Sequence, residues 1–333
     1  MTPARSRPVS NHTKPTYSIL MPFAPPRPEQ ILPYAALTQW SGAHRLWQGQ
    51  AMLNQPHQAF AYAAASGFRV PVGLGVTLMP FTHPYEAALQ AQSVAAATGH
   101  PVVAGFGPGA AVLQRSMYGA PYRSPLTASR EYLTAVRGLL DGEAVEQDGT
   151  YFTCHGRLLP VPRPPIEVGL GVLRPAMARL AGEVADTAIT WLTPAAYLRD
   201  TIVPALREGA DAAGRPVPRL VSIVPVALAG PDRDPAALAL ASNIGHLRLP
   251  HYVDMLRRSG IETDSDAPAA GAAALVEGRA FLYGEPKVLA EELRTFHEAG
   301  VDEIVLNVTG VHGTYGGQSA LRELEAILAE VTS

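Results

Sequence analysis

The chain is poor in the residues that build disulfide frameworks, cysteine metal sites and membrane spans. Cys154 is its only cysteine, which excludes a disulfide or a cysteine-rich metal site within the chain. A reducing cytoplasm is therefore the expected setting. No stretch reaches the ~18 uninterrupted apolar residues of a spanning helix. No apolar segment follows the arginines near the amino end, so we do not expect a secretory signal.

Charge of one sign is also scarce. The net charge at pH 7 is −3 and the pI is about 6.4, so no global basic field indicates nucleic acid or an anionic membrane as partner. Apolar residues are plentiful: 47% of the 333 residues are hydrophobic, enough to bury a large core. We expect residues 1–15 to be a disordered tail and residues 16–333 to form one domain.

Short apolar runs alternate with helix-like segments along the chain. The predicted strands are 17–21, 44–47, 70–79, 102–106, 166–169, 187–190, 220–229 and 303–307. The predicted helices include a long one at 194–213 and a last one at 319–331. Such alternation predicts a parallel sheet. Eight strand–helix units predict an α/β fold of the (β/α)8 TIM-barrel type, with a doubly wound open sheet as the alternative.

Two insertions interrupt the repeat. After the fourth strand, residues 142–165 predict a hairpin, with residues 151–153 as a short strand and a proline-rich exit that forces an extended path. After the seventh strand, residues 231–285 predict two helices (235–247 and 251–259), and we expect this insertion to cover the barrel mouth.

The active site of such a barrel lies at the carboxyl ends of its strands. Residues that end or follow the predicted strands are therefore the first candidates. They include Pro22, Phe23, Gln48, Gln50, Thr77 and Trp191. An aromatic residue such as Trp191 either walls a pocket or packs in the core.

Glycine-rich loops follow the fourth and fifth strands. Gly105, Gly107 and Gly109 alternate with other residues in the first loop, and Gly169 and Gly171 repeat the feature in the second. Glycine lets backbone N–H groups approach an anion without side-chain hindrance, although a tight strand-to-helix turn uses it too. Neighbouring strand ends can hold one phosphate from two sides, so the pair of loops favours a phosphate site.

Two further polar groups have competing interpretations. Arg115, Tyr118, Tyr122 and Arg123 follow the first glycine loop, where they either bind the phosphate or a polyanionic tail of a cofactor, or form a solvated face. The histidines of the long insertion lack the paired spacing and third ligand of a metal centre, so no metal site is predicted.

Taken in order, these motifs resemble the luciferase-like flavin and deazaflavin oxidoreductases over roughly residues 16–331. The resemblance rests on GLGV at 73–76, GFGPG at 105–109, YGAP at 118–121, DGTYF at 148–152, PVPRPPIEVG at 160–169, GEVADTAITW at 182–191 and AGVD at 299–302. No single motif is decisive, but their order and spacing together are specific.

The resemblance implies a barrel that binds coenzyme F420 or FMN. The ring would lie at the mouth beside a non-proline cis peptide at Gly75–Val76, although an ordinary strand glycine is the alternative. The cofactor contacts that it implies are Gly75, Val76, Thr77, Gly107, Pro108, Gly109, Ala110, Ala111, Gly169, Leu170, Gly171 and Val172. It also implies a homodimer that pairs through helices early in the barrel. The alanine-rich helices at 57–66 and 84–98 have small-residue faces that permit close packing of two copies, although the same faces could simply pack on the barrel.

One departure concerns proton transfer. Deazaflavin relatives that oxidise sugar phosphates carry an Asp-His pair after the second strand and a glutamate after the glycine loop, where this chain has Gly49-Gln50 and Ala110. A glutamine orients a substrate but takes up no proton at pH 7. The departure disfavours alcohol oxidation and favours reduction of an activated C=C or C=N bond. Gln48 and Gln50 would orient the substrate, and Pro22, Phe23 and Trp191 would contact it.

Three functions follow as hypotheses. The first is an F420-dependent reductase of a small molecule or a peptide; a fainter resemblance points to reductases of dehydroalanine residues in modified peptides. The second is an FMN-dependent monooxygenase. The third is a non-catalytic flavin-binding barrel, suggested by the missing acid/base pair. A homodimer in the cytoplasm is expected, without nucleic acid or membrane partners.

Overall fold

A closed parallel barrel organises the chain in the computed structural model, which describes residues 16–332. Its strands are β1 (Thr16–Leu20), β2 (Leu46–Gln48), β3 (Val72–Leu78), β4 (Val102–Gly107), β5 (Val145–Asp148), β6 (Thr153–Gly156), β7 (Ile166–Gly171), β8 (Thr187–Trp191), β9 (Arg219–Leu228), β10 (Leu282–Gly284) and β11 (Glu303–Asn307). Parallel pairs join β1, β2, β3, β4, β7, β8, β9 and β11 in that order, and β11 pairs back to β1. This closure confirms the TIM barrel and excludes the open sheet.

Helices cover the outside of the barrel. They are α1 (Leu32–Trp40), α2 (Pro56–Ala65), α3 (Pro84–Thr98), α4 (Ala111–Tyr118), α5 (Pro125–Leu140), α6 (Pro175–Val184), α7 (Ala195–Tyr197), α8 (Val203–Ala212), α9 (Pro235–Leu247), α10 (Pro250–Arg258), α11 (Pro268–Glu277), α12 (Pro286–Glu298) and α13 (Thr309–Thr332). Most begin with proline, whose fixed φ suits the first helical position and whose missing N–H has no intrahelical partner there.

The structure corrects the predicted helix at 194–213, which is three pieces. Between α7 and α8, residues Leu198–Ile202 form a π-helical turn in which the N–H of Val203 bonds to the carbonyl of Leu198. Pro204 follows directly and has no N–H to continue the regular ladder, which explains the irregular turn.

The insertions hold more structure than the sequence indicates. The predicted hairpin after β4 is present as β5 and β6, although its second strand begins at Thr153 rather than at 151. After β9, α9 and α10 match the prediction, but α11 and β10 were not predicted. The sequence of α11, PAAGAAALVE, has no polar stripe, so the usual helical spacing is absent. The expected tail at 1–15 lies outside the described residues.

The last helix also begins earlier than predicted. α13 starts at Thr309, directly after β11, and bends at Gly316, whose φ of 81° lies in the left-handed region. The predicted segment 319–331 is therefore only the part of α13 beyond the bend.

The barrel interior is filled by side chains. Leu20, Trp47, Val103, Ile189 and Val305 are among the buried residues that meet there. The Trp47 ring lies so close to β3 that a methyl group built on Gly73 would come within 2.3 Å of it. Glycine at this position of β3 is therefore a packing requirement of the tryptophan.

The floor of the barrel, at the amino ends of the strands, holds a buried ion network around Glu303. Its Oε1 accepts hydrogen bonds from Ser18 Oγ (2.6 Å) and Trp47 Nε1 (2.7 Å), and its Oε2 accepts one from Arg219 (2.8 Å). Burial would raise the pKa of Glu303, but the guanidinium groups of Arg45 and Arg219 outweigh it and lower the pKa to about 2. The network places charge far from the mouth, so its role is structural.

No helix of residues 16–332 combines the length and the apolar character that a membrane crossing requires.

Candidate active site at the barrel mouth

Four glycines line one half of the barrel mouth. Gly49 follows β2, Gly75 lies in β3, and Gly107 and Gly171 end β4 and β7, which are four consecutive strands of the ring. A methyl group built on Gly107 would come within 2.9 Å of Val76 Cγ2, and one on Gly171 within 3.4 Å of Val76 Cγ1. We call these glycines the glycine arc. Because these residues are glycines, none of them places a side chain on the surface of the mouth around Val76.

The backbone of β3 is irregular at the centre of this arc. The peptide bond between Gly75 and Val76 is cis, as the resemblance implies. The pairing register of β3 with β4 shifts between Leu74 and Thr77. Thr77 is buried and donates its hydroxyl to the carbonyl of Gly105 at 3.0 Å, which ties β3 to β4 just beyond the shift.

The two glutamines predicted as catalytic residues lie in different places. Gln50 accepts a hydrogen bond from the N–H of Leu78 (2.7 Å) and donates one to Gln55 (3.3 Å), while its own N–H bonds to the carbonyl of Val76. Its amide therefore fastens the loop after β2 to the end of β3. Gln48 is 2% exposed and alternates with the inward-facing Trp47, so its side chain lies between the barrel and the helices.

The loop between β4 and α4 presents backbone donors. Gly109 adopts a φ of 72°, and α4 begins at Ala111 without a side-chain cap. Within the described chain, the N–H groups of Gly109, Ala110 and Ala111 have no hydrogen-bond partner. Unpaired donors at a helix N-terminus attract an anion.

A buried glutamine shapes this loop. Gln114 donates its amide to the carbonyls of Pro108 and Gly109, both at 2.9 Å, and accepts from the N–H of Tyr122 at 2.8 Å. Both carbonyls are thus held away from the donor side of the loop. Gln114 was not among the residues predicted from the sequence; a polar residue at the fourth position of a short helix after a glycine loop was the available signal.

The second predicted loop contributes less to the mouth. A methyl group on Gly169 would lie 2.9 Å from Ile189 Cδ1, and Leu170 and Val172 are buried in the outer core. These contacts give all three residues a packing role. Of this group, Gly171 alone faces Val76, and a cofactor contact by the other three stays a prediction.

The other half of the mouth is aromatic and polar. Phe23, after β1, stacks on His312 with ring centroids 4.3 Å apart, and Trp191 of β8 stacks on His246 at 5.0 Å. Asn307 ends β11 between them and is fully buried. We call these five residues the aromatic arc; Pro22 is buried beside Phe23. His246 lies in α9 and His312 in α13, each far along the chain from its aromatic partner, which is why the sequence did not pair them with the predicted aromatic residues.

Two hydrogen-bond donors of the aromatic arc lack partners. Asn307 accepts from the N–H and hydroxyl of Thr309 through Oδ1, but its Nδ2 is buried without a partner in the described chain, as is the indole Nε1 of Trp191. Leaving a buried donor unpaired costs on the order of 1–3 kcal/mol. Both groups suit an acceptor atom of a bound molecule.

The ionisable groups of the aromatic arc are neutral at pH 7. Burial, with a smaller effect of His251, lowers the pKa of His246 to about 4, and burial also lowers the pKa of His312. Neither arc contains an aspartate or a glutamate. Among residues 16–332, no group of three or more histidine, cysteine or acidic side chains is arranged to hold a metal ion.

Together the two arcs define a barrel enzyme whose mouth has a glycine-lined cradle beside the unpaired N–H groups at the start of α4. The chain belongs to the luciferase-like monooxygenase family, whose model matches residues 3–303.

Relatives within this family are oxidoreductases. The chain is 30% identical over 271 residues to a 5,10-methylenetetrahydromethanopterin reductase of Methanolobus tindarius, covering 79% of this chain and 81% of the reductase. It is 26% identical over 265 residues to an F420-dependent glucose-6-phosphate dehydrogenase of Nocardia farcinica, covering 76% and 78%. The solved structure of the coenzyme F420-dependent tetrahydromethanopterin reductase of Methanopyrus kandleri superposes with a TM-score of 0.73 at 20% identity, covering 96% and 99% of the two chains, and shows the shared fold.

Proposed function

We propose that this enzyme uses coenzyme F420 to reduce an activated double bond. The observation that carries the proposal is the glycine arc beside the uncapped start of α4, because together they offer a flat cradle and an anion site at one mouth. The names of the relatives support F420 as the cofactor. When bound, reduced F420 supplies a hydride.

The chain's own residues would hold the cofactor as follows. Val76 and the glycine arc would support the ring, since a larger side chain at Gly107 or Gly171 would meet Val76. The N–H groups of Gly109, Ala110 and Ala111 would bind the phosphate, and Gln114 would keep the neighbouring carbonyls turned away from it.

The proposed direction, reduction rather than alcohol oxidation, rests on which groups at the mouth could accept a proton. Gln50 is occupied by Leu78 and Gln55, and the histidines of the aromatic arc are neutral at pH 7. No carboxylate belongs to either arc, and the lowered pKa values of both histidines make their neutral imidazoles weak bases, which disfavours removal of the proton from an alcohol there. Reduction needs only a weak acid or water as proton source, and is the easier reaction for this mouth.

The finer proposal concerns the substrate. Asn307 Nδ2 and Trp191 Nε1 are buried donors without partners, and they end β11 and β8 on the same side of the mouth. Donors of this kind would polarise a carbonyl group conjugated to the double bond, as in the dehydroalanine residue of a peptide. Phe23 and Pro22 would wall the same side.

Side-by-side titration of the purified protein with F420 and FMN tests the cofactor. We expect F420 to bind, and a peptide that contains dehydroalanine to oxidise reduced F420. A secondary alcohol should not reduce oxidised F420. Gly107→Asp should abolish binding by placing a carboxylate in the cradle. Alcohol-dependent reduction of F420, or binding of FMN alone, would contradict the proposal.

A second candidate is an FMN-dependent monooxygenase. The matched family model carries the description of a luciferase-like monooxygenase, and the glycine arc accommodates either ring. Oxygen consumption that requires substrate and reduced FMN, and does not occur with reduced F420, would favour this candidate.

We also propose a cytoplasmic homodimer. Cys154 is a free, buried thiol, which suits a reducing compartment. On the outer faces of α2 and α3, Tyr62 and Leu89 are each 39% exposed and offer apolar area to a second copy, whereas most alanines of both helices are buried within this copy.

A further inference from the structure

A cavity of about 580 Å³ lies beside the barrel mouth, outside both arcs. Three segments form it: the turn between β3 and α3, the linker between α4 and α5, and the turn of the β5–β6 hairpin. Its walls are largely aromatic, with Phe81, Tyr118, Tyr122 and Tyr151 among them. We call this cavity the aromatic pocket.

The aromatic pocket adjoins the loop that starts α4. A methyl group on Gly109 would lie 3.7 Å from the ring of Pro80, which lines the pocket, and the hydroxyl of Tyr118 donates to the carbonyl of Pro80 at 3.0 Å. Gln114 connects the two places directly, because one end of its amide holds the carbonyl of Gly109 and the other accepts from the N–H of Tyr122. A molecule bound at the loop can therefore continue into the pocket.

The charge of the pocket is positive. Arg123 lines it, is exposed and forms no ion pair within the described chain, and Arg115 stands one turn before Tyr118 on α4 in the same condition. No aspartate or glutamate lines the pocket. The nearest carboxylate behind the wall, Glu131, accepts hydrogen bonds from the N–H groups of Thr150, Tyr151 and Phe152 at 2.8, 2.8 and 3.1 Å, so it is already satisfied by the hairpin turn.

His83 also lines the pocket, and both of its ring nitrogens are hydrogen-bonded. Its Nδ1 accepts from the N–H of Tyr85, and its Nε2 donates to the carbonyl of Thr153 at 2.8 Å. It caps α3, and its ring nitrogens are occupied by the protein itself. The two arginines are therefore the groups that a ligand would find.

We propose that the aromatic pocket binds the anionic arm of the cofactor beyond its phosphate, with Arg123 and Arg115 pairing the carboxylates of the arm. The inference rests on the proposed use of F420, which carries a chain of glutamate residues beyond its phosphate. FMN ends at the phosphate and would leave the pocket empty. The pocket thus selects between two cofactors that the glycine arc alone does not distinguish.

Equilibrium binding tests the inference without any turnover. Three ligands are titrated: the deazaflavin without phosphate, F420 with no glutamate, and F420 with several glutamates. In the wild-type protein we expect the glutamates to tighten binding about tenfold over the form without them, a plausible sum for two exposed ion pairs. The gain should shrink as salt is raised.

Charge variants test whether Arg123 provides the tighter binding of F420 that carries glutamates. Arg123→Gln should remove most of it, and Arg123→Glu should reverse its sign, so that each added glutamate weakens binding. Because the Arg123 side chain is exposed, neither substitution should change the melting temperature. Arg207→Gln on α8, another exposed arginine, is the matched control and should leave the gain intact.

The possible failures are distinguishable. If the form without glutamates binds and added glutamates change nothing, or if Arg123→Glu behaves as Arg207→Gln does, the inference is wrong while the proposed function stands. If none of the three deazaflavins binds, both are wrong.

Discussion

A single carboxylate, Glu303, links the floor of the barrel. It touches Ser18 of β1, Trp47 of β2 and Arg219 of β9, and lies 3.4 Å from Arg45, so residues far apart in sequence meet at one charge. A buried charge is tolerated when its partners satisfy it, and removing one member leaves the others unpaired. The residue matters for stability rather than for chemistry at the mouth.

Glu303→Gln should lower the free energy of unfolding by about 3–5 kcal/mol, because the arginines would keep their charge without the carboxylate. Urea unfolding near pH 7 measures this. Glu277→Gln at the end of α11, an exposed site, is the control and should change little. A loss below about 1 kcal/mol for Glu303→Gln would contradict the account of the network.

The same substitution has a pH signature. The folded pKa of Glu303 is about 2, below the ~4.3 of an unfolded glutamate. The stabilisation by its charge is therefore complete above about pH 4.5 and is lost as the pH falls towards about 2. The difference in unfolding free energy between wild type and Glu303→Gln should stay constant down to about pH 5 and shrink below it. If the difference in unfolding free energy at about pH 3 equals the difference at pH 7, the folded pKa of Glu303 is not lowered as described.

Gly107 decides the shape of the cradle. In Gly107→Ala the added methyl would lie 2.9 Å from Val76 Cγ2, so Val76 must move into the space proposed for the ring. We expect F420 binding to weaken by about tenfold or more with a small change in melting temperature. Gly245→Ala, where a methyl meets nothing within 4 Å, is the control. Unchanged F420 affinity in Gly107→Ala would remove the glycine arc from the cofactor site.

At the scale of elements, α4 is the short helix whose start we propose as the phosphate site. Its start has no side-chain cap, and Gln114, one turn inside, turns the loop carbonyls away from the free N–H groups. Gln114→Leu should weaken phosphate-containing F420 about tenfold and leave the deazaflavin without phosphate unaffected. Gln90→Leu on the exposed face of α3 is the control. Equal losses for both ligands would indicate general unfolding of the loop.

The strands and helices also show which elements the sequence patterns predict and which they do not. The strands of the barrel were predicted within a few residues because buried strands read as apolar runs between turn residues. The predicted helix at 194–213 is present over 195–212, but its π-helical middle turn before Pro204 was not predicted, since such a turn leaves no periodic signal. β10 is three residues long and α11 is almost uniformly small and apolar, so neither gives a pattern to read.

At the scale of the whole molecule, the order of strands in the ring separates the two halves of the mouth. β2, β3, β4 and β7 carry the glycine arc, while β8, β11 and β1 carry or precede the aromatic arc, and β9 lies among them. A planar cofactor on one half would face a substrate on the other. Neither half is continuous in sequence, so closure of the barrel is what creates a site.

Assembly is the last property at this scale. Light scattering coupled to gel filtration should give twice the chain mass of 35.3 kDa for the wild type. Tyr62→Glu combined with Leu89→Glu should give the monomer, because charges on α2 and α3 would oppose a second copy. Val288→Glu on α12, a 45% exposed position, should remain dimeric. A monomeric wild type would contradict the proposed homodimer.

The sequence by itself determined the repeating strands and helices and the two glycine loops, because backbone conformation at these places depends on local residue types. The position of the cis peptide at Gly75–Val76 was implied by the resemblance to the family, and the structure has it there. Only the tertiary structure decided which side chains meet. It paired Phe23 with His312 and Trp191 with His246, turned Gln48 away from the mouth, and occupied Gln50 with backbone contacts. Such contacts depend on barrel closure and strand alternation, which join residues that no local pattern connects.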